Sequence, residues 1–319
     1  MKKNIYLAAF FLLLISCDKK SKVEKAVEEI PVEIKLHRFE QAFFDAKPAD
    51  LPKVKTAYPE FFPEGTPDQV WIDKMQHPQW RELYNEVEKK YKNFDVETAE
   101  IEDLFKHIKY YFPTIKTPDI YTVIAEMDHN NKAIYANDKL VIALELYLGK
   151  EHKFYGEYPA YLKENFNQRQ ILPDIVSSFA YGILPAPKDK ELLSLMVNSG
   201  KELYLKDVLL PSYTDFEKIG YTEAQQKWCE ANENYMWQYF VNDKLLYSAD
   251  SKLPNRFINL APFSKFYLEI DNETPGRVGQ WIGWQIVRSF MENNKVSVPE
   301  LLKMDAKVIF EKSKYKPKK

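Results

Sequence analysis

The histidines, cysteines and carboxylates of this sequence do not combine into a complete catalytic or zinc-binding motif. The five histidines include no pair with the spacing of HExxH, and the two cysteines, Cys17 and Cys229, form no CxxC. Zinc sites are usually built from such closely spaced ligands. The nine glycines form no GxSxG, GxGxxG or Walker loop. The sequence therefore predicts no catalytic residue and no bound metal, which weighs against an enzyme.

The stretch AEMDHNNKA, which contains Glu126, Asp128 and His129, has two interpretations. Carboxylates and an imidazole could bind a metal ion. The same residue types also tolerate left-handed backbone and are typical of turns. We favour a hairpin turn over a metal site.

Three polar residues lie where burial would change their chemistry. Glu202, in SGKELYLKDVLLP, could be a catalytic carboxylate or could pair with a lysine. Asn232 and Glu233 lie among the aromatic residues of YTEAQQKWCEANENYMWQYF. A carboxylate in that setting has a raised pKa unless it is paired. We favour a buried pair with Arg277 or Arg288.

The stretch ETPGRVGQWIGWQIVRSFM has the pattern of a helix with two specialised faces. Steps of four, three and four residues give one stripe of Trp and Arg, and small residues give another, along which a second element can pack closely. The Trp/Arg stripe is either a partner-binding hot spot or core with a polar rim. The partner-binding candidates are Arg277, Trp281, Trp284, Arg288, Gly279 and Gly283.

The elements around these residues predict a mainly helical α+β protein with a small antiparallel or mixed sheet packed on a helical domain. Val32, Ile34 and Leu36 alternate with polar residues, as in a half-buried strand. Residues 120–126, 133–137 and 140–149 read as three successive strands, with the turn DHNN between the first two. Apolar periodicity predicts helices over 96–112, 170–184, 188–205, 222–240, 277–294 and 298–304. Gly200, inside one of them, indicates that another backbone approaches closely.

The N-terminus predicts export and lipidation. A basic start precedes an uncharged apolar run that is too short to span a membrane. Leu14-Ile15-Ser16-Cys17 resembles the lipobox of bacterial lipoproteins, and the alternative is a plain secretory signal with an incidental cysteine. We therefore expect residues 1–16 to be a signal peptide and Cys17 to carry the lipid. Residues 17–30 should then be a tether, and residues 31–311 should form one globular domain. Residues 312–319 should be a frayed basic tail.

The formal charge is close to balanced, at −2. The five lysines of KSKYKPKK form a short terminal run and not a basic face. Nucleic acid is therefore not an expected partner.

Seven stretches, taken in order, share a pattern with one known family: the lipobox at Cys17, LELYLGKEHKFY, ILPDIVSSFAYGI, SGKELYLKDVLLP, YTEAQQKWCEANENYMW, APFSKF and ETPGRVGQWIGWQIVRSFM. Together they resemble the gliding-motility lipoprotein GldB family. The resemblance implies an envelope lipoprotein needed for gliding, which acts alongside other gliding proteins and the type IX secretion apparatus and carries no cofactor besides its covalent lipid. In gliding bacteria, an acid-rich tract directly after the lipidated cysteine favours export to the cell surface. The absence of such a tract here favours a protein that faces the periplasm.

The family is also distantly similar to gluzincin-type metallopeptidases that have lost their zinc ligands. The helix that would carry HExxH offers Asp174, Ser177 and Ser178, with no histidine, and Glu202 matches the segment that supplies a third ligand. We expect a scaffold that has lost catalysis and kept a groove, with Asp174, Glu202, Asn232 and Glu233 as groove candidates. The alternatives are a hydrolase with non-standard ligands, peptidase-like or acting on peptidoglycan, and a module that binds peptide or polymer.

Overall fold

The computed structural model describes residues 21–318, and the predicted signal peptide and Cys17 lie outside this range. Helices dominate the described residues. The strands are β1 (Lys35–Arg38), β2 (Asp119–Val123), β3 (Ala133–Ala136) and β4 (Lys139–Ala143). The helices are α1 (Lys22–Glu28), α2 (Phe39–Phe44), α3 (Leu51–Ala57), α4 (Asp68–Gln76), α5 (Pro78–Tyr91), α6 (Asp95–Tyr111), α7 (Ala160–Lys163), α8 (Ile171–Ile183), α9 (Leu192–Leu209), α10 (Asp215–Ile219), α11 (Glu223–Asn242), α12 (Leu253–Phe257), α13 (Val278–Asn293), α14 (Val298–Lys303) and α15 (Ala306–Ser313).

The four strands form one mixed sheet in the order β1-β2-β4-β3. β1 and β4 both run parallel to β2, and β3 is antiparallel to β4 at the edge. The predicted mainly helical α+β class with a small sheet is confirmed. The predicted central strand of residues 140–149 ends at Ala143, where the chain enters a short 3-10 helix.

The hairpin of the sheet is not at the predicted place. Asp128 does hold a turn, since its side chain accepts the backbone N–H of Asn130. However, β2 and β3, on either side of this turn, are separated in the sheet by β4. The hairpin instead joins β3 to β4 through Asn137 and Asp138, whose φ angles of 52° and 59° are those of a type I′ turn.

The core is built around α9, which contributes to two hydrophobic clusters. Leu205 and Leu209 belong to a cluster with the sheet, α5, α6 and α8. Met196 and Val197 belong to a second cluster with α11 and α13. Gly200 of α9 lies against the backbone of Gly283 in α13, so the predicted close approach at Gly200 is confirmed.

Both ends of the described chain are more ordered than the sequence predicted. Ser21 caps α1 through a capping box, and Val27 is buried, so the predicted tether of residues 17–30 is folded from Ser21 onward. The predicted frayed tail is also wrong over its described part. Ser313 ends α15 and is buried, and the hydroxyl of Tyr315 donates to Glu233 over 2.9 Å.

Glu145, which follows β4, is a carboxyl group enclosed by the core. Its exposed fraction is 0%, and its Oε1 accepts the backbone N–H of Ala125 over 3.0 Å. Burial raises the pKa of Glu145 to about 7, against the hydrogen bonds that the carboxylate accepts.

Replacing Glu145 with glutamine should flatten the dependence of stability on pH. Because the folded pKa lies above the unfolded value, protonated Glu145 stabilises the fold fully below about pH 4, and this contribution is lost as pH rises through 7. Glu145→Gln should therefore exceed the wild type by about 3 kcal/mol at pH 8 and match it at about pH 4. Urea unfolding at both pH values measures the difference. Equal free energies of unfolding at pH 8 would contradict the assignment.

Candidate functional site

A cavity of about 200 Å³ brings together two of the predicted groove residues. Asp174 lies in the first turn of α8, and Glu202 lies in the middle of α9. The wall also includes the turn before β3, at Lys132, the loop after α10, at Gly220, and the residue before α13, Arg277. Several separate chain segments therefore position the polar groups of this cavity.

Asp174 is held by a lysine and a tyrosine. Lys132 Nζ lies 2.6 Å from its Oδ2, and the Tyr147 hydroxyl donates to the same oxygen over 2.9 Å. Burial, together with the charge of Asp174, raises the pKa of Tyr147 well above its ordinary value. Tyr147 therefore stays protonated and acts as a donor.

Glu202 is held in a similar way. The Ser177 hydroxyl donates to its Oε1 over 2.7 Å, and Lys206 Nζ lies 3.5 Å from that atom. Lys206 is 6% exposed and donates to the backbone carbonyl of Lys218 over 3.0 Å. Burial lowers the pKa of Lys206, while the charge of Glu202 opposes that shift. Both carboxylates thus have a lysine counter-ion.

Arg277 differs from these groups. It is the residue before α13 and has left-handed backbone, with φ 62° and ψ 28°. Its Nη2 donates to the carbonyl of Gly220 over 3.0 Å, and its guanidinium lies 5.3 Å from the centre of the Tyr221 ring. Burial lowers the pKa of Arg277. The side chain is partly buried and lines the cavity.

The polar groups of this cavity can bind polar ligands, but they do not form the catalytic triad or dyad of a serine hydrolase. Such enzymes need a base, usually His or Lys, in contact with the serine hydroxyl. The Ser177 hydroxyl instead contacts Glu202 and the backbone carbonyl of Pro173. Within residues 21–318, no group of three or more His, Cys, Asp or Glu side chains is placed to hold a metal ion.

The Trp/Arg stripe is core. Trp281 and Trp284 are 1% and 0% exposed, so the prediction that they form a partner surface is wrong, and the alternative interpretation as core is the correct one. The small-residue stripe packs as expected. Gly279 lies against the backbone of Phe257, and Gly283 lies against the backbone of Met196.

Arg288, the fourth member of the stripe, belongs to a charged network at the rim of the core. It contacts Asp207 at 2.6 Å and Asp215 at 2.6 Å. Trp284 Nε1 donates to Asp207 over 2.8 Å, and Lys218 Nζ lies 3.1 Å from the same carboxylate. These partners satisfy Arg288 internally, so it is not a free partner-binding residue.

Asn232 and Glu233 do not line the cavity with Asp174 and Glu202. Asn232 lines a different cavity, on α11, and donates to the carbonyl of Trp228. Glu233 is 1% exposed and accepts from the Tyr315 hydroxyl and from the backbone N–H of Lys318. The prediction that it pairs with Arg277 or Arg288 is wrong, because the C-terminal segment covers it.

The sequence predicted a lysine as a possible partner of Glu202, but it did not identify which lysines line the cavity. Lys206 follows Glu202 by four residues in one helix, a spacing that favours an ion pair, and this signal was available. Lys132 comes from the turn before β3 and Lys218 from α10, and no local pattern relates either to Asp174 or Glu202.

The described residues contain no helix that is both long and apolar enough to cross a membrane. The fold and cavity define a mainly helical α+β protein with an internally ion-paired pocket. The chain belongs to the family described as gliding motility protein GldB, whose sequence profile matches residues 20–317. The family's name implies a lipoprotein of the cell envelope with a role in gliding. No curated protein and no solved structure matches the chain, so the distant similarity to gluzincins stays a prediction.

Proposed function

We propose that this protein is a non-catalytic lipoprotein that supports the assembly of the gliding and type IX secretion machinery. Membership of the gliding motility family supports a role in gliding. In this proposal residues 1–16 are removed on export, Cys17 carries palmitate-type chains, and the domain faces the periplasm. Capping of α1 at Ser21 leaves only a few residues between the lipid and the folded domain, which would hold the protein close to the membrane.

The observation that favours binding over catalysis is the pairing of the cavity carboxylates. Asp174 and Glu202 each have a lysine as counter-ion, and a general base must be free to accept a proton. Metal analysis of purified protein tests the enzymatic alternative. Stoichiometric zinc that is lost on Asp174→Ala or Glu202→Ala would overturn the proposal.

A surface beside α11 can serve as the contact with another protein of the machinery. Tyr235, Leu268 and Ile270 are 70%, 53% and 51% exposed, and with Trp228 they surround a cavity of about 410 Å³. Exposed apolar residues grouped in this way are typical of protein–protein contacts, where an apolar side chain of the partner fills the cavity. We call these four residues the α11 patch.

Replacing Tyr235 and Leu268 together with serine should reduce partner recovery about tenfold and abolish gliding. Both side chains are exposed, so the melting temperature should change by only a few degrees. In-cell crosslinking of tagged protein, followed by purification from solubilised membranes, gives the measurement. Tyr181→Ser, at a tyrosine that is 91% exposed on α8, is the matched control. Undiminished recovery of gliding or secretion proteins with the double variant would refute this contact.

A further inference from the structure

Two cavities meet at Arg277. The first is the 200 Å³ cavity that Asp174 and Glu202 line, and the second has a volume of about 400 Å³. Gly220, Leu260 and Arg277 belong to both walls. A ligand that enters the larger cavity would therefore reach the guanidinium of Arg277.

Arg277 has unused hydrogen-bond donors at this junction. A guanidinium carries five N–H donors, and the Arg277 side chain donates one hydrogen bond, to Gly220. None of the ion pairs among residues 21–318 includes Arg277. A partly buried charge with no carboxylate in direct contact is costly unless something compensates it.

The other cations of the cavity are already compensated. Lys132 pairs with Asp174 and Lys206 pairs with Glu202. Lys218 lies 3.1 Å from Asp207, within the network of Arg288. In the larger cavity, Glu164 is paired with Lys150 at 3.0 Å. Arg277 is therefore the cation in these walls that has no carboxylate at ion-pair distance, and the charge of Glu202 acts on it only from farther away.

The backbone at Arg277 supports a binding role. Its φ of 62° is unfavourable for an L-residue, by roughly 1 kcal/mol. Such conformations cluster at ligand sites, where surrounding structure maintains them. Arg277 also immediately precedes α13, a helix of 16 residues, whose N-terminal end carries partial positive charge that adds to the attraction of an anion.

We propose that the joined cavities bind a ligand that carries a carboxylate or phosphoryl group, with this group on Arg277 and the ligand body in the larger cavity. The planar guanidinium can bind either oxyanion through two parallel hydrogen bonds. Leu260, Ala261 and Pro262 give the larger cavity an apolar side, which suits an uncharged ligand body. This binding site is independent of the proposed contact through the α11 patch.

Titration calorimetry on the purified full-length chain tests the proposal with three probes: acetyl-dialanine, its C-terminal amide, and inorganic phosphate. We expect saturable binding of the free acid or of phosphate with a dissociation constant of about 1 mM or tighter, and binding of the amide at least about tenfold weaker than that of the acid. Preference for the acid identifies a carboxylate ligand, and preference for phosphate identifies a phosphoryl ligand.

Arg277→Asn should weaken binding of the preferred anion by about tenfold or more, because asparagine tolerates left-handed backbone but has no positive charge. Lys244→Asn is the matched control, since Lys244 is an exposed cation with φ 56° outside both cavities. Equal binding by wild type and Arg277→Asn would overturn the proposal, as would no saturable binding of any probe up to about 10 mM. Unchanged thermal melting of the variants verifies that they are folded.

Discussion

Replacing Gly283 with alanine should lower the free energy of unfolding by about 3 kcal/mol. An added Cβ would overlap the backbone carbonyl of Met196, and a backbone atom cannot rotate away as a flexible side chain can. Relief would require α9 and α13 to separate. That separation would disturb Trp281 and Trp284, which are buried in the same interface.

Gly182→Ala is the control for this prediction. Gly182 also lies inside a helix, α8, but nothing lies within 4 Å of the position of an added Cβ. Alanine favours a helix over glycine by about 1 kcal/mol, so this variant should be slightly more stable than the wild type. Urea unfolding measures both. If the two variants change stability in the same direction, close packing at Gly283 is not what determines the effect.

The sequence predicted the close approach of these helices because the signal is local. A glycine inside a strong helical pattern carries a known cost, and Gly200 therefore indicated a backbone neighbour. The longer helices were predicted within a few residues for the same reason, since apolar spacing of 3.6 residues recurs over several turns. Helix α13, expected over 277–294, runs from Val278 to Asn293.

Strand pairing could not be read in this way. Residues 120–126 and 133–137 were predicted as neighbours because they are close in sequence. In the structure β4 lies between them and pairs parallel to β2. Which strand lies beside β2 depends on the packing of the whole sheet, and a single sequence gives no information on such long-range pairing.

Whether a given face of a helix is buried or exposed could not be predicted from the sequence either. Spacing placed Trp281 and Trp284 on one stripe, but it did not tell whether another element covers that stripe. Helix α9 covers it, and Asp207 at the C-terminal end of α9 accepts the indole N–H of Trp284. The lining of the candidate cavity was likewise only partly predictable. Asp174 and Glu202 were predicted, whereas Lys132 is recognisable only once the chain is folded.

Replacing Asp207 with alanine should lower the free energy of unfolding by about 2–4 kcal/mol, somewhat less than the loss of one partner from a fully buried ion pair, because the Asp207 side chain is 15% exposed. One carboxylate here accepts from Trp284 Nε1, from Lys218 Nζ and from two nitrogens of Arg288. Asp215 can retain Arg288, but Lys218 would lie 4.0 Å from its nearest remaining carboxylate oxygen. The Trp284 N–H would lose its acceptor.

Asp103→Ala is the control for the Asp207 prediction, because Asp103 is a helical aspartate whose side chain is 66% exposed and lies 3.6 Å from His107. Pairs in which the carboxylate is largely exposed to water, as Asp103 is, contribute less than about 1 kcal/mol. A loss at Asp207 no larger than that at Asp103 would contradict the prediction.

A double-mutant cycle with Arg288→Met separates the ion pair from the indole hydrogen bond. If the ion pair determines the effect, the double variant should lose about 2 kcal/mol less free energy of unfolding than the two single variants added together. The reason is that Arg288→Met removes a charge that Asp207→Ala has already left partly unpaired. Additive losses would assign the cost to Trp284 instead.

Asp215 provides the independent check on charge. Burial acts to raise its pKa, but the hydrogen bonds and charge of Arg288 outweigh burial and hold that pKa below its ordinary value. The stability from Asp215 is therefore present above its unfolded pKa and lost as pH falls through the lower folded one, and Arg288→Met should remove that acid limb.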